Sequence, residues 1–320
     1  MSRSSTSDLP LSGIEIGHAH DAVIKTGVTV LKPTSPALCA VDIRGGGPGT
    51  RETDTLAFGG LVDRVHAVVF AGGSVYGLAA ADAVCADLGA QGVGYAAGPP
   101  PIPVSPIVPS AILFDNANGG DKDWGDSPPF HSLGRAALAG VSASTGEGAI
   151  GAGFGATAGE YAGGFGLASD VVDGITVCAF ICANPVGSPF LPGTRVPYAW
   201  MYERDGEFGG AQPPRDYRWI SPPDTKLSRM SRAGQNTVIG AVVTDAALSS
   251  SDLKRLAIMA HDGLALSVQP SHTPLDGDTI FALSIGDRPA VGPAALSHLG
   301  AAAARCVARA LTRGVLSAQR

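Results

Sequence analysis

The sequence predicts a layered fold of mixed strands and helices, α/β or α+β. Three observations carry this. Short apolar runs rich in β-branched residues recur along the chain and are broken by Gly or Pro. Helical patterns fall between them, without the regular alternation that builds a doubly wound sheet. And 45% of the 320 residues are hydrophobic while 16% are charged, enough apolar matter for one large core or two ordinary ones.

The chain carries 44 Gly and 24 Pro, about a fifth of its length. An average protein has about 12%. No G-X-Y period exists, so a collagen-like repeat is excluded, and the apolar fraction argues against disorder. The excess implies many tight turns and close backbone contacts.

Residues 1 to about 12 read as a loose tail. Strands are expected at Thr26–Leu31, Leu38–Ile43, Val65–Phe70 and Ile107–Phe114. Ser74–Leu88 reads as a helix with Ser74 as N-cap, and His131–Ala139 as a shorter one. Gly148–Gly164 is the most glycine-dense stretch. Val172–Asn184 contains the continuous apolar run GITVCAFICAN, the mark of a strand buried on both faces. From Pro185 to Gln235 no period survives, and a loop this long is usually functional or disordered. The pattern restarts with a strand at Thr237–Thr244. A helix capped by Ser249 or Ser250 follows through about Gly263, with Asp252 in its first turn. Thr279–Ile285 is the last strand and Val291–Ala318 the last helix. Arg305, Arg309 and Arg313 recur there at i, i+4 and read as a solvated face.

A net charge of -6 and a pI near 5.6 exclude a basic stripe, and with it a nucleic-acid partner. Five scattered Cys without a C-x-x-C pair suit a reduced, cytoplasmic protein. The start MSRSSTSDLP lacks a signal-peptide core, and no 18-residue apolar run predicts a membrane span. No metal or cofactor is expected. His18 and His20 form an H-x-H pair, and His261 and His272 flank the last loop, but no H-E-x-x-H occurs. Ala71–Gly77 (AGGSVYG) is not G-x-G-x-x-G, nor G-x-S-x-G, because Tyr76 stands where Gly is needed. It is either a structural turn or a set of N–H groups facing a substrate oxygen.

Two stretches are chemically informative. In Gly234-Gln235-Asn236-Thr237-Val238-Ile239 a long loop ends and a core strand begins on Thr. On spacing alone this is a strand-starting Thr. The alternative is a cut before Thr237, by attack of its hydroxyl on the Asn236 carbonyl. The new α-amine would titrate near 7.7–8.0, so one residue would supply nucleophile and base. In Ser271–Thr279, Asp276 and Asp278 stand at i, i+2 around Gly277. They are either an ordinary acidic turn or a carboxylate pair that orients the Thr and moves protons.

Several ordered blocks resemble one family. They are Gly27-Val28-Thr29-Val30, Val41–Gly46, Ala71–Leu78, Gly151–Gly159, Ala183-Asn184-Pro185-Val186-Gly187, Asn236–Ile239 and Asp276–Thr279. Over roughly Gly13 to Ala318 the chain is similar to the S58 peptidases of the DmpA type. These include L-aminopeptidase/D-esterases, β-peptidyl aminopeptidases and nylon-oligomer hydrolases. The resemblance implies an αββα sandwich, two stacked sheets flanked by helices, as also in ornithine acetyltransferase. It implies one domain, 1–320, autoproteolysed at Asn236/Thr237 into chains 1–236 and 237–320.

The resemblance further implies an N-terminal-nucleophile amidase, without a cofactor, acting on short peptides, β-peptides or 6-aminohexanoate oligomers. Thr237 matches the nucleophile, Asn184 the oxyanion donor, and Asp276 and Asp278 the carboxylates of the nylon-hydrolase branch. A homo-oligomer, a tetramer of processed heterodimers, is the implied assembly. Ser74, Tyr76, Phe114 and Glu160 are the candidates for substrate binding. Two departures stand out: Glu160 replaces a Lys that ends the Gly-rich block in many relatives, and Phe114 replaces a Tyr. Trp200, Tyr202, Tyr217 and Trp219 either line an entrance or pack on a partner subunit. The alternative functions are an acyltransferase of the ornithine acetyltransferase sort, and an unprocessed, non-catalytic homologue.

Overall fold

The computed structural model describes residues 6–229, 236–290 and 292–319. Two sheets stack face to face with helices on both outer sides. In the six-stranded sheet the order is Gly164–Val172, Ile175–Asn184, Thr237–Ala247, Thr279–Pro289, Ala37–Ile43 and Arg64–Val65. The five-stranded sheet runs Ile14–Asp21, Thr26–Pro33, Val68–Ala71, Ser110–Ile112 and Thr50–Arg51. Helices α1 (Ala79–Ala90) and α2 (Phe130–Ala139) cover the five-stranded sheet. Helices α3 (Ser250–Ala260), α4 (Asp262–Ala265) and α5 (Gly292–Ala318) cover the other. This is the αββα sandwich.

Strand periodicity explains the layers. On Thr237–Ala247, Ile239, Ala241 and Val243 enter the core between the sheets, whereas Val238, Val242 and Ala246 face the helices. Both faces are buried, so the strand reads as a continuous apolar run. Phe70, Phe165, Phe180 and Phe281 fill the gap between the sheets, each fully buried. Each such ring contributes about 1.5–3 kcal/mol of burial. Cys178 and Cys182 lie in the same layer as small apolar side chains.

Some expectations change. The run Val65–Phe70 is not one strand. Arg64–Val65 edges the six-stranded sheet and Val68–Ala71 belongs to the other. The chain switches sheets at His66, whose N–H donates to the Ile107 carbonyl at 2.9 Å. Its Nδ1 accepts from the Ile107 N–H at 3.0 Å. Of Ile107–Phe114 only Ser110–Ile112 is strand, because Pro109 has no N–H to give a ladder. Val172 ends one strand and Ile175 opens the next; Asp173 and Gly174, with φ of 51° and 78°, turn the hairpin between them. Ser74 caps nothing. It has φ 57° and opens a 3-10 turn, Ser74–Leu78, that leads into α1. Ser249 does cap α3, accepting the Asp252 N–H at 3.2 Å.

The arginine stripe of α5 is not a solvated face. Arg309 is 6% exposed and bonds Glu207 through Nε at 2.5 Å and Nη2 at 3.0 Å. Arg313 bridges Glu147 at 2.8 Å and Glu207 at 3.2 Å. Arg305 and Arg204 share Asp170. Glu207 and Arg204 come from the long loop after Asn184, which folds over the helix. Helical periodicity marks such a face as polar but cannot say that a polar segment covers it.

Close approach accounts for part of the glycine. A Cβ on Gly166 would lie 2.0 Å from the Ala310 carbonyl of α5, so the helix rests directly on the strand. Among the described residues no helix is long and apolar enough to cross a membrane.

His261, at the end of α3, is 2% exposed, and its Nε2 lies 2.9 Å from the Asp42 carbonyl. Burial lowers its pKa from 6.5 to about 4. As pH falls from 6.5 to about 4, the unfolded chain takes up this proton first and the folded state loses stability. The slope is at most about 1.4 kcal/mol per pH unit. His261→Gln should flatten that part of the acid limb in urea titrations at pH 7 and pH 5. Arg309→Met should lower unfolding free energy by about 2 kcal/mol, because Glu207 loses two charge-assisted bonds. The urea midpoint reads this.

Candidate active site

The central strand of the six-stranded sheet begins at Thr237. On one side it pairs antiparallel with Ile175–Asn184, and Asn184 stands directly opposite Thr237. Directly opposed residues share a face, so both side chains enter the space between the sheets at its end. On the other side the strand runs parallel to Thr279–Pro289, and Asn236 bridges to Asp276. Asn184, Asn236, Thr237, Asp276 and Asp278 are all buried.

The peptide between Asn236 and Thr237 is held firmly. The Asn236 N–H donates to the Leu275 carbonyl at 3.0 Å, and the Asn236 carbonyl accepts the Gly277 N–H at 2.8 Å. The same carbonyl accepts a short hydrogen bond from the Thr237 hydroxyl. The Thr237 hydroxyl and the Asn236 carbonyl therefore sit side by side, with a backbone donor already on the carbonyl oxygen. Gly277 is required there, since a Cβ would lie 2.8 Å from Thr237 Oγ1 and 2.7 Å from the Gly47 carbonyl.

The two carboxylates act on the backbone around this peptide. Asp278 Oδ1 accepts the Val238 N–H at 2.8 Å, which fixes the residue after Thr237. Its Oδ2 accepts His272 Nδ1 at 2.7 Å and the His272 N–H at 3.1 Å. Asp276 accepts from Val186 N–H at 3.0 Å, Thr273 N–H at 2.9 Å and Thr273 Oγ1 at 2.6 Å. Burial, reinforced by the Asp278 charge, raises the Asp276 pKa. Among the described residues, the Thr237 hydroxyl bonds the Asn236 carbonyl and neither carboxylate.

Asn184 sits in a defined network. Its Oδ1 accepts the Thr157 N–H at 2.9 Å and Lys226 Nζ at 3.2 Å. Its Nδ2 donates to the Phe114 carbonyl at 2.9 Å. Donors on one end and an acceptor on the other fix the amide orientation. Phe114 thus meets the site through its backbone. Glu160 is exposed, and its N–H donates to the Asp224 carbonyl at 3.1 Å. Ser74 donates its N–H to Leu113, and half-exposed Tyr76 packs edge-on against Trp124 at 5.6 Å. Among the described residues, neither side chain bonds the Thr237 cluster. Two contributors have no pattern in the sequence: Lys226, the one Lys of the long loop, and the Gly277 N–H. No cluster of metal-binding side chains occurs among the described residues.

The model of peptidase family S58 matches residues 8–320. An uncharacterized aminopeptidase of Mycobacterium tuberculosis is 42% identical over 331 residues, covering 97% of this chain and 93% of that protein. A 6-aminohexanoate-oligomer endohydrolase of a Kocuria species is 31% identical over 280 residues, covering 85% and 73%. Among solved structures, the L-aminopeptidase D-Ala-esterase/amidase from Ochrobactrum anthropi, a variant of the Ntn hydrolase fold, matches with TM-score 0.70. It covers 96% of this chain and 85% of its own at 22% identity, a likeness of fold. The chain belongs to peptidase family S58, enzymes that hydrolyse amide bonds.

Proposed function

We propose that this chain is a self-processing threonine hydrolase whose nucleophile is Thr237. The observation that carries this is the Thr237 hydroxyl bonded to the Asn236 carbonyl, whose oxygen also holds the Gly277 N–H. In self-cleavage, Thr237 Oγ1 bonds to the Asn236 carbonyl carbon and the C–N bond to Thr237 breaks. The nitrogen takes up the hydroxyl proton and an ester remains. Water hydrolyses the ester, releasing the Asn236 carboxylate and a free Thr237 amine. That amine, titrating near 7.7–8.0, then serves as base for its own hydroxyl.

In turnover the hydroxyl attacks the substrate amide carbon, the Thr237 amine relays the proton to the leaving amine as the C–N bond breaks, and water then hydrolyses the ester on Thr237, releasing the acid and restoring the hydroxyl. Asn184 carries one N–H beyond the bond to Phe114, and we assign it to the developing oxyanion. Asp278 orients the nucleophile through Val238, and Asp276 holds the Val186 backbone beyond Asn184. The names of the relatives support the amino-terminal amide bonds of peptides, or the bonds within 6-aminohexanoate oligomers, as the substrate class.

Intact-mass measurement of the purified chain should show a fragment beginning at Thr237. Thr237→Ala should remain one uncut chain and lose more than about a thousandfold in activity on L-alanine, β-alanine and 6-aminohexanoate anilides. A Thr237→Ala chain that is cut or still turns over would overturn this assignment. Asn184→Ala should lower kcat by about 10²–10³-fold with a smaller change in KM. Gly277→Ala should leave the chain largely uncut, because its methyl group displaces the Thr237 hydroxyl.

A further inference from the structure

We propose that Lys226 is a positioning residue of this site, holding the Asn184 amide by its oxygen end and bringing positive charge from the segment before the scissile bond. This rests on the hydrolase reading above.

The geometry is specific. Lys226 Nζ lies 3.3 Å from the Asn184 carbonyl and 3.2 Å from its Oδ1. With the Thr157 N–H, it saturates the oxygen end of the amide and turns the N–H₂ end toward Phe114 and the space beside Thr237. The lysine is anchored. Its own N–H donates to the Val186 carbonyl at 3.0 Å, Thr225 before it is buried, and Ser188 Oγ donates to Asp224 at 2.7 Å. A surface Lys has no such constraints.

The charge fits as well. Asp276 and Asp278 are buried close together, and of the charges around Lys226 it is Asp276 that favours its protonated form. Asp224 lies on the same segment, and around it stand Tyr161 and Glu160, at the end of the glycine-rich block, and the Arg195 guanidinium over the Tyr161 ring; Glu160 is exposed. Behind Asp276 lie Asp278 and His272. Burial outweighs the Asp276 charge and lowers the Lys226 pKa from 10.5 to about 7. The ammonium is present below that value and is lost as pH rises through it.

The test follows self-cleavage of the full chain after cell-free synthesis, by intact mass over time, so no substrate need be known. Lys226→Met should slow the cut about tenfold or more. Lys226→Arg, charged at every working pH, should restore it to within a few-fold and abolish the fall in rate that wild type shows as pH rises through about 7. If Lys226 acts through Asn184, Lys226→Met combined with Asn184→Ala should be no slower than Asn184→Ala alone. A wild-type chain that cuts, with Lys226→Met cutting equally fast, overturns the Lys226 proposal alone. So does a double variant showing the full product of the two single effects. A wild-type chain that stays whole overturns the hydrolase reading and this proposal with it. If Lys226→Met does not fold, Lys226→Arg carries the test: a pH profile identical to wild type overturns the assignment.

Discussion

Everything at the site depends on how the first residue of the central strand is gripped from both sides. Antiparallel pairing sets Thr237 against Asn184, and the parallel neighbour brings the Asp276–Thr279 turn to the other flank. These are backbone constraints, so they hold regardless of side-chain rotamers. They leave the peptide before Thr237 with a donor on its oxygen and a hydroxyl beside it. The sandwich behind it, filled with buried aromatic rings, keeps the two strands from sliding relative to each other.

Burial then sets the chemistry. Two carboxylates lie under the strand end, each saturated by backbone and side-chain donors. A buried carboxylate without such donors would neutralise itself instead. Here the hydrogen bonds turn a costly pair of acids into a scaffold. Asp278 governs the strand that begins at Thr237, and Asp276 governs the chain leaving Asn184. Lys226 rests on Asn184, and Asp276 is the charge that favours its protonated form. Charge, orientation and the Asn236–Thr237 peptide thus share one compact, buried volume, where electrostatic effects are strong.

Much of this was legible in residue order. The loop-to-strand junction at Asn236–Thr237 and the i, i+2 acids around Gly277 are local patterns, and locality is what a sequence displays. Asn184 stands out only through the family resemblance, since an Asn closing an apolar strand has no pattern of its own. The Asp173-Gly174 hairpin is readable from its turn residues. Other features are out of reach of local patterns. Nothing near Val65 says that the chain changes sheets at His66. Nothing near Arg309 says that Glu207, a hundred residues earlier in order, covers it. Lys226 looks like any loop lysine until Asn184 and Val186 close around it.

The ion pairs of α5 gain another meaning if the chain is cut before Thr237. Glu207 and Asp170 would then belong to one polypeptide, and their partners Arg309, Arg313 and Arg305 to the other. The central strand would pair with a foreign strand on one side and its own on the other. The folded enzyme would become an obligate heterodimer whose interface is a hydrophobic core cut in two, sealed by buried charge. Its unfolding would be a dissociation, so its apparent stability would rise with protein concentration, which an uncut single chain cannot show.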